Sequence, residues 1–459
     1  MSLWTLDTLA SAAGGQRFGG TSDTPVSGIS IDTRTLSPGE AYFAITGVSM
    51  DGHRFVDAAL ERGAAAAVVN RGEQAPAIRV EGDVLKALER VGVTARARIA
   101  ADTPVVAVTG SVGKTGTKEM LRLAFGAGTH AAAASFNNHW GVPLTLARMP
   151  AGTRAGIFEI GMNHAGEITP LTQMVRPTIA IITTVGAAHL EFFPSVEAIA
   201  DAKAEIFAGL EPGGTAILPA DNPHFARLRA AAEAAGASVL TFAGEDADIR
   251  LAAFDPVTGR AMADVLGTQV AFTIHGGAHI ARNALAVLGA LHAAGRPLVD
   301  IAALETWQAA KGRGRRANLV AGEGELVLLD EAYNANPASM AAAIGMLGAT
   351  PAARRVAILG DMLELGSTAP ELHRGLAPFL IEADTRIVHT VGAMMTHLAE
   401  SLPAERRGVH APDAASLAAA LPALEPGDAV LVKASNAMGL ARVVEAIEAR
   451  HARRTADDV

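Results

Sequence analysis

The stretch Ala107–Met120, with the sequence AVTGSVGKTGTKEM, decides the fold that we predict for this chain. The apolar residues 105–108 predict a buried strand, and the residues after Lys114 predict a helix. Glycines in the turn between them would let backbone N–H groups approach phosphate oxygens. The Lys114 ammonium can reach β- and γ-phosphates, and the Thr115 hydroxyl can ligate Mg²⁺. The pattern therefore predicts a phosphate-binding loop formed by Gly110, Ser111, Val112, Gly113, Lys114 and Thr115.

Composition and charge limit the class of protein. The chain has 459 residues, the length of about three domains, and 50% of them are hydrophobic, enough for several buried cores. The net charge of -9 and the lack of a long basic run argue against a nucleic-acid-binding surface. Cysteine is absent, which excludes disulfides and thiolate chemistry and suits a cytoplasmic protein. The N-terminus shows no signal-peptide pattern, and no apolar stretch approaches the roughly 20 residues of a membrane span.

Short apolar runs divide the chain into three α/β domains. We expect a small N-terminal α/β module over residues 1–82, a central P-loop-type domain with a parallel sheet over 83–312, and a C-terminal Rossmann-like α/β domain over 313–459. In the central domain, strands alternate with helices, which indicates helices on both faces of the sheet. Its predicted strands are PVVAVTG, AGIFEIG, IAIITTVG and GTAILPA. A glycine- and arginine-rich connector, Lys311–Arg316, is predicted to close this domain.

Two candidate metal ligands, Glu159 and His189, each follow a predicted strand of the central domain. Both strands would end at the carboxyl edge of the sheet, where ligands bind in open α/β folds. A single Glu or His at a strand end is usually a solvated loop residue, but two of them beside a phosphate loop favour a metal site. Lys203 is different, because its pattern alone indicates an ordinary lysine on a helix surface near Glu205.

Many separated motifs occur in one order along the chain: GSVGKT, SFNNHWGVPLTL, FEIGMNHAGEI, AAHLEFF, AKAEIF, HIARNALA, GRGRR, LLDEAYNANPASM, LGDMLELG and LVKASNAMG. This order resembles that of the ATP-dependent Mur ligases of peptidoglycan synthesis, and the resemblance covers essentially the whole chain. It implies an ATP-binding central domain, with ATP and Mg²⁺ as cofactors. The implied reaction phosphorylates a carboxylate, and an amine then attacks the acyl phosphate.

The resemblance also points to one member of that family. The motifs EIGMNHAGEI, YNANPASM and LGDMLELG are similar to those of the member that adds D-alanyl-D-alanine to UDP-N-acetylmuramoyl-tripeptide. The implied partners are these two substrates, without nucleic acid or a membrane span, and we expect a cytoplasmic monomer. The alternative is the sibling ligase that adds diaminopimelate or lysine to the UDP-dipeptide. A segment DNPH at 221–224 is similar to the DNPR motif of that sibling, but it lies in the central domain.

The roles of the central-domain residues follow from this resemblance. It implies that Thr115 and Glu159 hold one Mg²⁺ and that His189 helps to bind a second. Lys203 would carry a carbamate, which turns a cation into an anionic oxygen ligand. Lys114, Lys203 and His189 are therefore the expected catalytic residues, and Asn283 is expected to contact adenine. A buried structural amide is the alternative for that asparagine.

The C-terminal domain is expected to close over the nucleotide. By resemblance an arginine of GRGRR reaches phosphate, and Arg313 is the first candidate beside Arg315 and Arg316. The expected ribose- and base-binding residues are Asp330, Tyr333, Asn334 and Asn336, although NANP also predicts a simple turn. Lys433 and Ser435 would face the acceptor or the phosphates, and a strand-end loop remains the alternative for them.

The N-terminal module is expected to hold the UDP part of the substrate. The residues that the resemblance implies there are Ser30, Asp32, Thr33, Arg34, Asp51, Gly52 and His53. By pattern alone these residues are ordinary surface loops. Two further segments are expected to contact the sugar or the peptide, through Asn137, Asn138, His139, Asn163 and His164.

Other classes of protein share part of this pattern. A hydrolysing nucleotide switch would explain the loop but not the third α/β domain or the polar N-terminal module. A folate polyglutamate ligase would normally begin close to the phosphate loop, whereas more than a hundred residues precede it here. A non-catalytic scaffold would keep its function without Lys203 or His189. The chain also departs from common patterns at Val108 and Gly116, and neither departure changes the predicted reaction.

Overall fold

Three sheets, one after another along the chain, form the framework of the protein. A computed structural model describes residues 2–188 and 190–451, and within them the main sheets have five, nine and six strands. This architecture confirms the predicted α/β class. No helix in those residues is long and apolar enough to cross a membrane.

The N-terminal module combines a mostly parallel sheet with a small antiparallel ribbon. Strands β4 to β7 pair in parallel, β2 joins β7 in antiparallel orientation, and β1 pairs with β3. The elements are β1 (Trp4–Thr5), α1 (Leu6–Ala13), β2 (Gly15–Phe18), β3 (Pro25–Val26), β4 (Gly28–Ser30), β5 (Glu40–Phe43), α2 (Val56–Glu61), β6 (Ala66–Val69), β7 (Ala77–Val80) and α3 (Val84–Arg98).

The central domain is built on the longest of the three sheets. Its elements are β8 (Val105–Thr109), α4 (Lys114–Phe125), β9 (Thr129–Ala131), α5 (Gly141–Ala147), β10 (Ala155–Glu159), α6 (Ile168–Val175), β11 (Ile179–Ile182), α7 (Val196–Ala204), β12 (Thr215–Pro219), α8 (Phe225–Ala234), β13 (Ser238–Phe242), β14 (Ile249–Phe254), β15 (Arg260–Val265), β16 (Thr268–Thr273) and α9 (Ala278–Ala293). Buried apolar clusters cover both faces of the sheet, so its inner strands β8, β10 and β11 read as continuous hydrophobic runs.

Strand order explains where the phosphate loop lies. In this sheet β8 lies within the parallel part, with β10 and β9 on one side and β11, β12 and β13 on the other, all parallel to it. The chain therefore reverses its direction of travel across the sheet at β8. In open α/β sheets, ligands bind at such a switch point, beyond the carboxyl ends of the strands. The loop that follows Thr109 occupies this position.

The sequence prediction missed an antiparallel extension of this sheet. Strands β14, β15 and β16 form an antiparallel meander at its edge. Their residues alternate between buried and exposed positions instead of forming the continuous apolar runs that marked the parallel strands. The sequence carries one turn signal here, Gly267, and in the structure Leu266 and Gly267 both have positive φ, at 50° and 87°.

The C-terminal domain has a parallel sheet with one antiparallel edge strand. Its elements are β17 (Arg315–Ala321), β18 (Gly324–Glu331), α10 (Pro337–Ala349), β19 (Arg354–Gly360), α11 (Ala369–Arg374), α12 (Ala377–Glu382), β20 (Ile387–Val391), α13 (Met395–Ser401), β21 (Arg407–Ala411), α14 (Ala414–Ala419), β22 (Asp428–Lys433) and α15 (Ala441–Arg450). The edge strand β17 corrects the predicted connector, because Arg315 and Arg316 are its first residues and pair with β18.

Candidate active site

The phosphate loop requires glycine at two positions. Gly110 and Gly113 have φ values of 148° and 91°, which other residues rarely adopt. A methyl group at Gly110 would overlap the Thr183 hydroxyl, and one at Gly113 would lie 2.7 Å from the Asn283 amide nitrogen. Gly113 also precedes the first residue of α4, so the N-terminus of that helix points into the loop. Unpaired N–H groups at a helix N-terminus favour an anion such as phosphate.

The end of β11 holds the loop in place. The Ser111 amide donates to the Thr184 carbonyl oxygen at 2.8 Å, and the Ser111 hydroxyl donates to the Gly186 carbonyl oxygen at 3.1 Å. The Thr183 hydroxyl donates to the Val112 carbonyl oxygen at 2.5 Å. The loop is therefore held to the end of β11 through the Ser111 amide, the Ser111 hydroxyl and the Val112 carbonyl oxygen.

Lys114, Thr115 and Glu159 meet beside this loop. The Lys114 ammonium donates to the Gly110 carbonyl oxygen at 2.5 Å. Burial lowers the pKa of Lys114, and the nearby Glu159 carboxylate opposes this effect. Thr115 and Glu159 are both buried, and the Thr115 hydroxyl donates to Glu159 Oε2 at 2.9 Å. The site thus combines a cation with two hard oxygen donors, the ligand type that Mg²⁺ prefers.

Lys203 is a buried lysine and not the surface lysine that its pattern indicated. It lies in α7 with 2% of its surface exposed. Burial, together with the nearby positive charge of Lys114, holds the pKa of Lys203 well below its usual value. The resemblance anticipated that this side chain lies near the loop, although its spacing did not. The other predicted ligand, His189, lies outside the described residues.

Arg313 links the two nucleotide-type domains. Its guanidinium donates to the Ser135 hydroxyl at 3.0 Å and stacks on the Tyr333 ring, 3.6 Å from the ring centroid. The Ser135 hydroxyl lies 3.4 Å from that of Thr115. Arg313 therefore reaches from the C-terminal domain to the edge of the phosphate loop. Ser135 was not singled out by the sequence, where it only begins the SFNN motif.

The neighbouring arginines point elsewhere. Arg315 is paired with Asp330 at 3.1 Å and with Glu448 at 2.7 Å, inside the C-terminal domain. Asp330 also accepts from the Gly312 amide at 2.9 Å. Arg316 is exposed on β17. Of the three candidates, only Arg313 is directed at the loop, while Asp330 organises the turn that presents it.

The other predicted residues of this segment have structural partners of their own. Asn336 is the N-cap of α10, and its side-chain oxygen accepts from the Ser339 amide at 2.9 Å. The Asn334 carbonyl oxygen accepts from Lys433 at 2.8 Å. Lys433 is buried and also lies 3.4 Å from Glu331, while the Ser435 hydroxyl accepts from the Leu363 amide. Nucleotide contacts by these residues stay predictions.

Asn283 lies against the phosphate loop. It belongs to α9, has 7% of its surface exposed, and presents its amide to Gly113. The adenine contact of Asn283 stays a prediction. Its position against Gly113 gives Asn283 a second role, in packing the loop. Both a buried amide and a ligand-facing amide are therefore compatible with its position.

Two polar turns of the N-terminal module converge on Tyr42. The Asp32 carboxylate forms an ion pair with Arg34 at 2.7 Å, after β4. The Asp51 carboxylate accepts from the His53 backbone amide and ring, which lowers its pKa. Burial, with Asp32 and Asp51 nearby, raises the pKa of the Tyr42 hydroxyl to about 12. The structure therefore brings together the two segments that were predicted to hold UDP, including Ser30, Thr33 and Gly52.

One of the two central-domain segments predicted to contact substrate lies next to the phosphate loop. Asn137 donates to Glu159 Oε1 at 2.7 Å, next to the phosphate loop. Asn138 accepts from the amides of residues 140 and 141 and so organises the start of α5. His164 is exposed and packs against Phe192, with ring centroids 4.7 Å apart. Asn163 and His139 are exposed, the Asn163 backbone amide donates to Glu167 Oε2 at 2.7 Å, and the His139 ring lies edge-on to Trp140 with ring centroids 6.1 Å apart.

Comparison with known proteins supports one family. The family models matched are, in chain order, the Mur ligase family catalytic domain over residues 25–107, the Mur ligase middle domain over 108–291, and the Mur ligase glutamate ligase domain over 315–436. A UDP-N-acetylmuramoyl-tripeptide–D-alanyl-D-alanine ligase from Synechocystis sp. is 34% identical over 94% of this chain and 93% of its own length. The chain belongs to the Mur ligase family. The three family models together, and the Synechocystis relative by itself, extend into all three sheets of this Mur ligase.

Solved Mur ligase structures share its whole architecture. A crystal structure of MurF from Acinetobacter baumannii superposes with a TM-score of 0.84 and 28% identity, covering 96% of this chain and 98% of that one. MurF from Thermotoga maritima, crystallised in complex with ADP, gives a TM-score of 0.78 at 26% identity, covering 92% and 97%. The order of the three domains in this Mur ligase is thus that of complete, solved ligases.

Proposed function

We propose that this Mur ligase joins the terminal carboxylate of UDP-N-acetylmuramoyl-tripeptide to the amine of D-alanyl-D-alanine, with conversion of ATP to ADP and phosphate. The observation that carries the proposal is the meeting of Lys114, Thr115 and Glu159 with Arg313 of the next domain. Named relatives of this length and similarity supply the substrates. The cytoplasm, where soluble precursors and ATP are both available, is the proposed compartment.

The residues at the loop fit ATP and Mg²⁺. Two glycines that tolerate no side chain leave a cradle of backbone N–H groups for the phosphates. Thr115 and Glu159 would hold a Mg²⁺ ion, and a carbamate on Lys203 would add a second anionic oxygen ligand. Among the described residues, no group of three His, Cys, Asp or Glu side chains could hold a metal ion by itself. Bound Mg²⁺ would neutralise the charge that develops on the transferred phosphate.

The reaction needs an activated carboxylate. Its oxygen attacks the γ-phosphorus of ATP, the bond to the β-γ bridging oxygen breaks, and ADP leaves. The amine of D-alanyl-D-alanine then attacks the acyl carbon, loses a proton, and displaces inorganic phosphate. Lys114 and Arg313 lie where positive charge would stabilise the transferred group, and positioning supplies most of the remaining effect.

Lys203 is suited to carry a carbamate. Carbon dioxide reacts with a neutral amine, and burial next to Lys114 favours the neutral form. The product is an anion, and the Lys114 cation would stabilise it. The same surroundings that disfavour a lysine cation therefore favour its carbamate.

An assay that requires all substrates tests the proposal. With ATP, Mg²⁺ and UDP-N-acetylmuramoyl-tripeptide, phosphate release should require D-alanyl-D-alanine, and the product should be heavier by that dipeptide. Product formation from the UDP-dipeptide with diaminopimelate or lysine would instead assign the sibling activity. Phosphate release without any acceptor would favour a nucleotide switch and contradict the proposal.

Replacing Arg313 or Arg315 by alanine is expected to cause two different defects. Arg313→Ala should lower kcat about 100-fold, because a cation near the phosphates is lost, and should leave thermal stability unchanged. Arg315→Ala leaves the buried Asp330 without its ion-pair partner and should reduce the free energy of unfolding by about 3 kcal/mol. Steady-state kinetics and urea unfolding of both variants check this. Equal kinetic defects with equal stabilities would contradict the assignment of Arg313.

A further inference from the structure

The loop between β5 and α2 exposes two apolar side chains at its tip. Val48 is fully exposed, and Met50 is 62% exposed. The base of the loop is held by an antiparallel bridge between Thr46 and Asp51, and the Gly47 amide donates to the Met50 carbonyl oxygen at 2.8 Å. Single exposed apolar residues are common. Two of them on one short, hydrogen-bonded loop beside a polar substrate turn indicate a surface that becomes covered.

The tip lies between the polar turns of the N-terminal module and the segment Asn137–Trp140, which leads to the phosphate loop. Gly47 packs against the Trp140 ring so closely that a methyl group at Gly47 would lie 3.0 Å from it. The Trp140 amide donates to Asn138, and the adjacent Asn137 contacts Glu159 at the phosphate loop. At its other end the tip continues into the polar turn at Asp51.

Along its length the UDP-linked substrate has the same arrangement as this part of the protein, with polar groups at both ends and apolar groups between them. A charged uridine diphosphate lies at one end and the reacting carboxylate at the other. Between them are a sugar ring with an apolar C–H face, an acetyl methyl, a lactyl methyl and an alanyl methyl. Such a middle segment suits aromatic and aliphatic side chains, whereas the two ends suit polar groups.

We propose that Val48, Met50 and Trp140 clamp the N-acetylmuramoyl group and the first peptide residue of the UDP-linked substrate. This inference rests on the proposed function and adds specificity-determining residues to it. The hydrogen-bonded base of the loop presents the two aliphatic side chains, and Trp140, which packs against Gly47 of the same loop, supplies a flat surface. The occupant is the substrate because the tip continues into the Asp51 turn on one side and contacts Trp140 on the other, three residues along the chain from the Asn137 that donates to Glu159.

The double variant Val48→Ser/Met50→Ser tests the clamp kinetically. Its KM for UDP-N-acetylmuramoyl-tripeptide should rise about tenfold, because apolar area is no longer buried on binding. Its kcat and its KM for ATP and for D-alanyl-D-alanine should stay unchanged. The matched control is Val257→Ser, which removes an 80% exposed valine from the distant turn between β14 and β15 and should change none of these values.

Tryptophan fluorescence tests the clamp without turnover. Titration of the wild type with UDP-N-acetylmuramoyl-tripeptide, without ATP, should change the emission, and UDP alone should not. Trp140→Phe should abolish the change, because Trp4 and Trp307 are buried. The double variant should need about ten times more ligand for the same change.

Several outcomes would overturn the clamp. A double variant with wild-type KM and a wild-type titration would do so. A change of oligomeric state in that variant, measured by sedimentation, would assign the tip to contact with a second copy instead. Failure of the proposed function is distinguishable, since the wild type itself would then form no product from the tripeptide.

Discussion

Alanine in place of Lys114 is expected to lower kcat for product formation at least about a thousandfold. The ammonium group lies on the phosphate loop, 2.5 Å from the Gly110 carbonyl oxygen, and close to Glu159 and Arg313. Its charge is directed at the place where the β- and γ-phosphates would lie. No other lysine donates to the loop in the described residues, and Arg313 approaches only its edge, through Ser135. Single-turnover product formation with saturating ATP measures the effect on the chemical step.

Lys86→Ala is the matched control for this variant. Lys86 lies on the exposed face of α3, where it pairs with Glu89 at 2.8 Å, and its loss should leave kcat unchanged. Circular dichroism and thermal unfolding of both variants should match the wild type. Near-normal product formation by a folded Lys114→Ala protein would remove the phosphate-loop assignment, and with it the proposed ligase mechanism.

The second large effect is expected at Lys203, where alanine should lower kcat at least about a hundredfold. The side chain is buried, and the positive charge of Lys114 lies nearby. As a cation it would repel Lys114, whereas as a carbamate it would attract both Lys114 and Mg²⁺. The variant removes the anionic ligand but keeps the phosphate loop.

Carbon-13 NMR distinguishes a carbamate from a structural lysine. Wild-type protein in ¹³C-bicarbonate should show a carbamate carbonyl signal that Lys203→Ala lacks and Lys86→Ala retains. Short carboxylic acids such as acetate should partly restore activity to Lys203→Ala, because they supply an oxygen ligand in the same space. Full activity of the alanine variant, or a wild type without the signal, would contradict the carbamate.

The phosphate loop shows how far local sequence reasoning extends. Gly110 and Gly113 are required where β8 turns into α4, and both the strand and the helix are visible in the pattern of apolar residues. Glu159 was found by the same reasoning, because it ends an apolar run that had to be a parallel strand. Local order along the chain was sufficient in these cases, since each residue lies within or next to its own strand.

Contacts between distant segments could not be read in this way. Lys203 follows a helical pattern typical of the surface, yet it is buried because α7 packs against the sheet beside the loop. Arg313, Arg315 and Arg316 are equivalent as sequence letters, and only the pairing of β17 with β18 directs each to a different neighbour. Asn336 has a polar side chain of a type that could bind a nucleotide, but in the structure this side chain caps α10.

The sequence by itself determined the class of each domain, the position of the phosphate loop and, through its ordered motifs, the family. These properties depend on hydrophobic periodicity and on glycine at positive φ, which are local properties of the chain. Only the tertiary structure decided that Arg313 reaches Ser135, that Lys203 lies beside Lys114, and that the loop tip meets Trp140. Those approaches join residues far apart along the chain, and sheet order and domain packing set their distances.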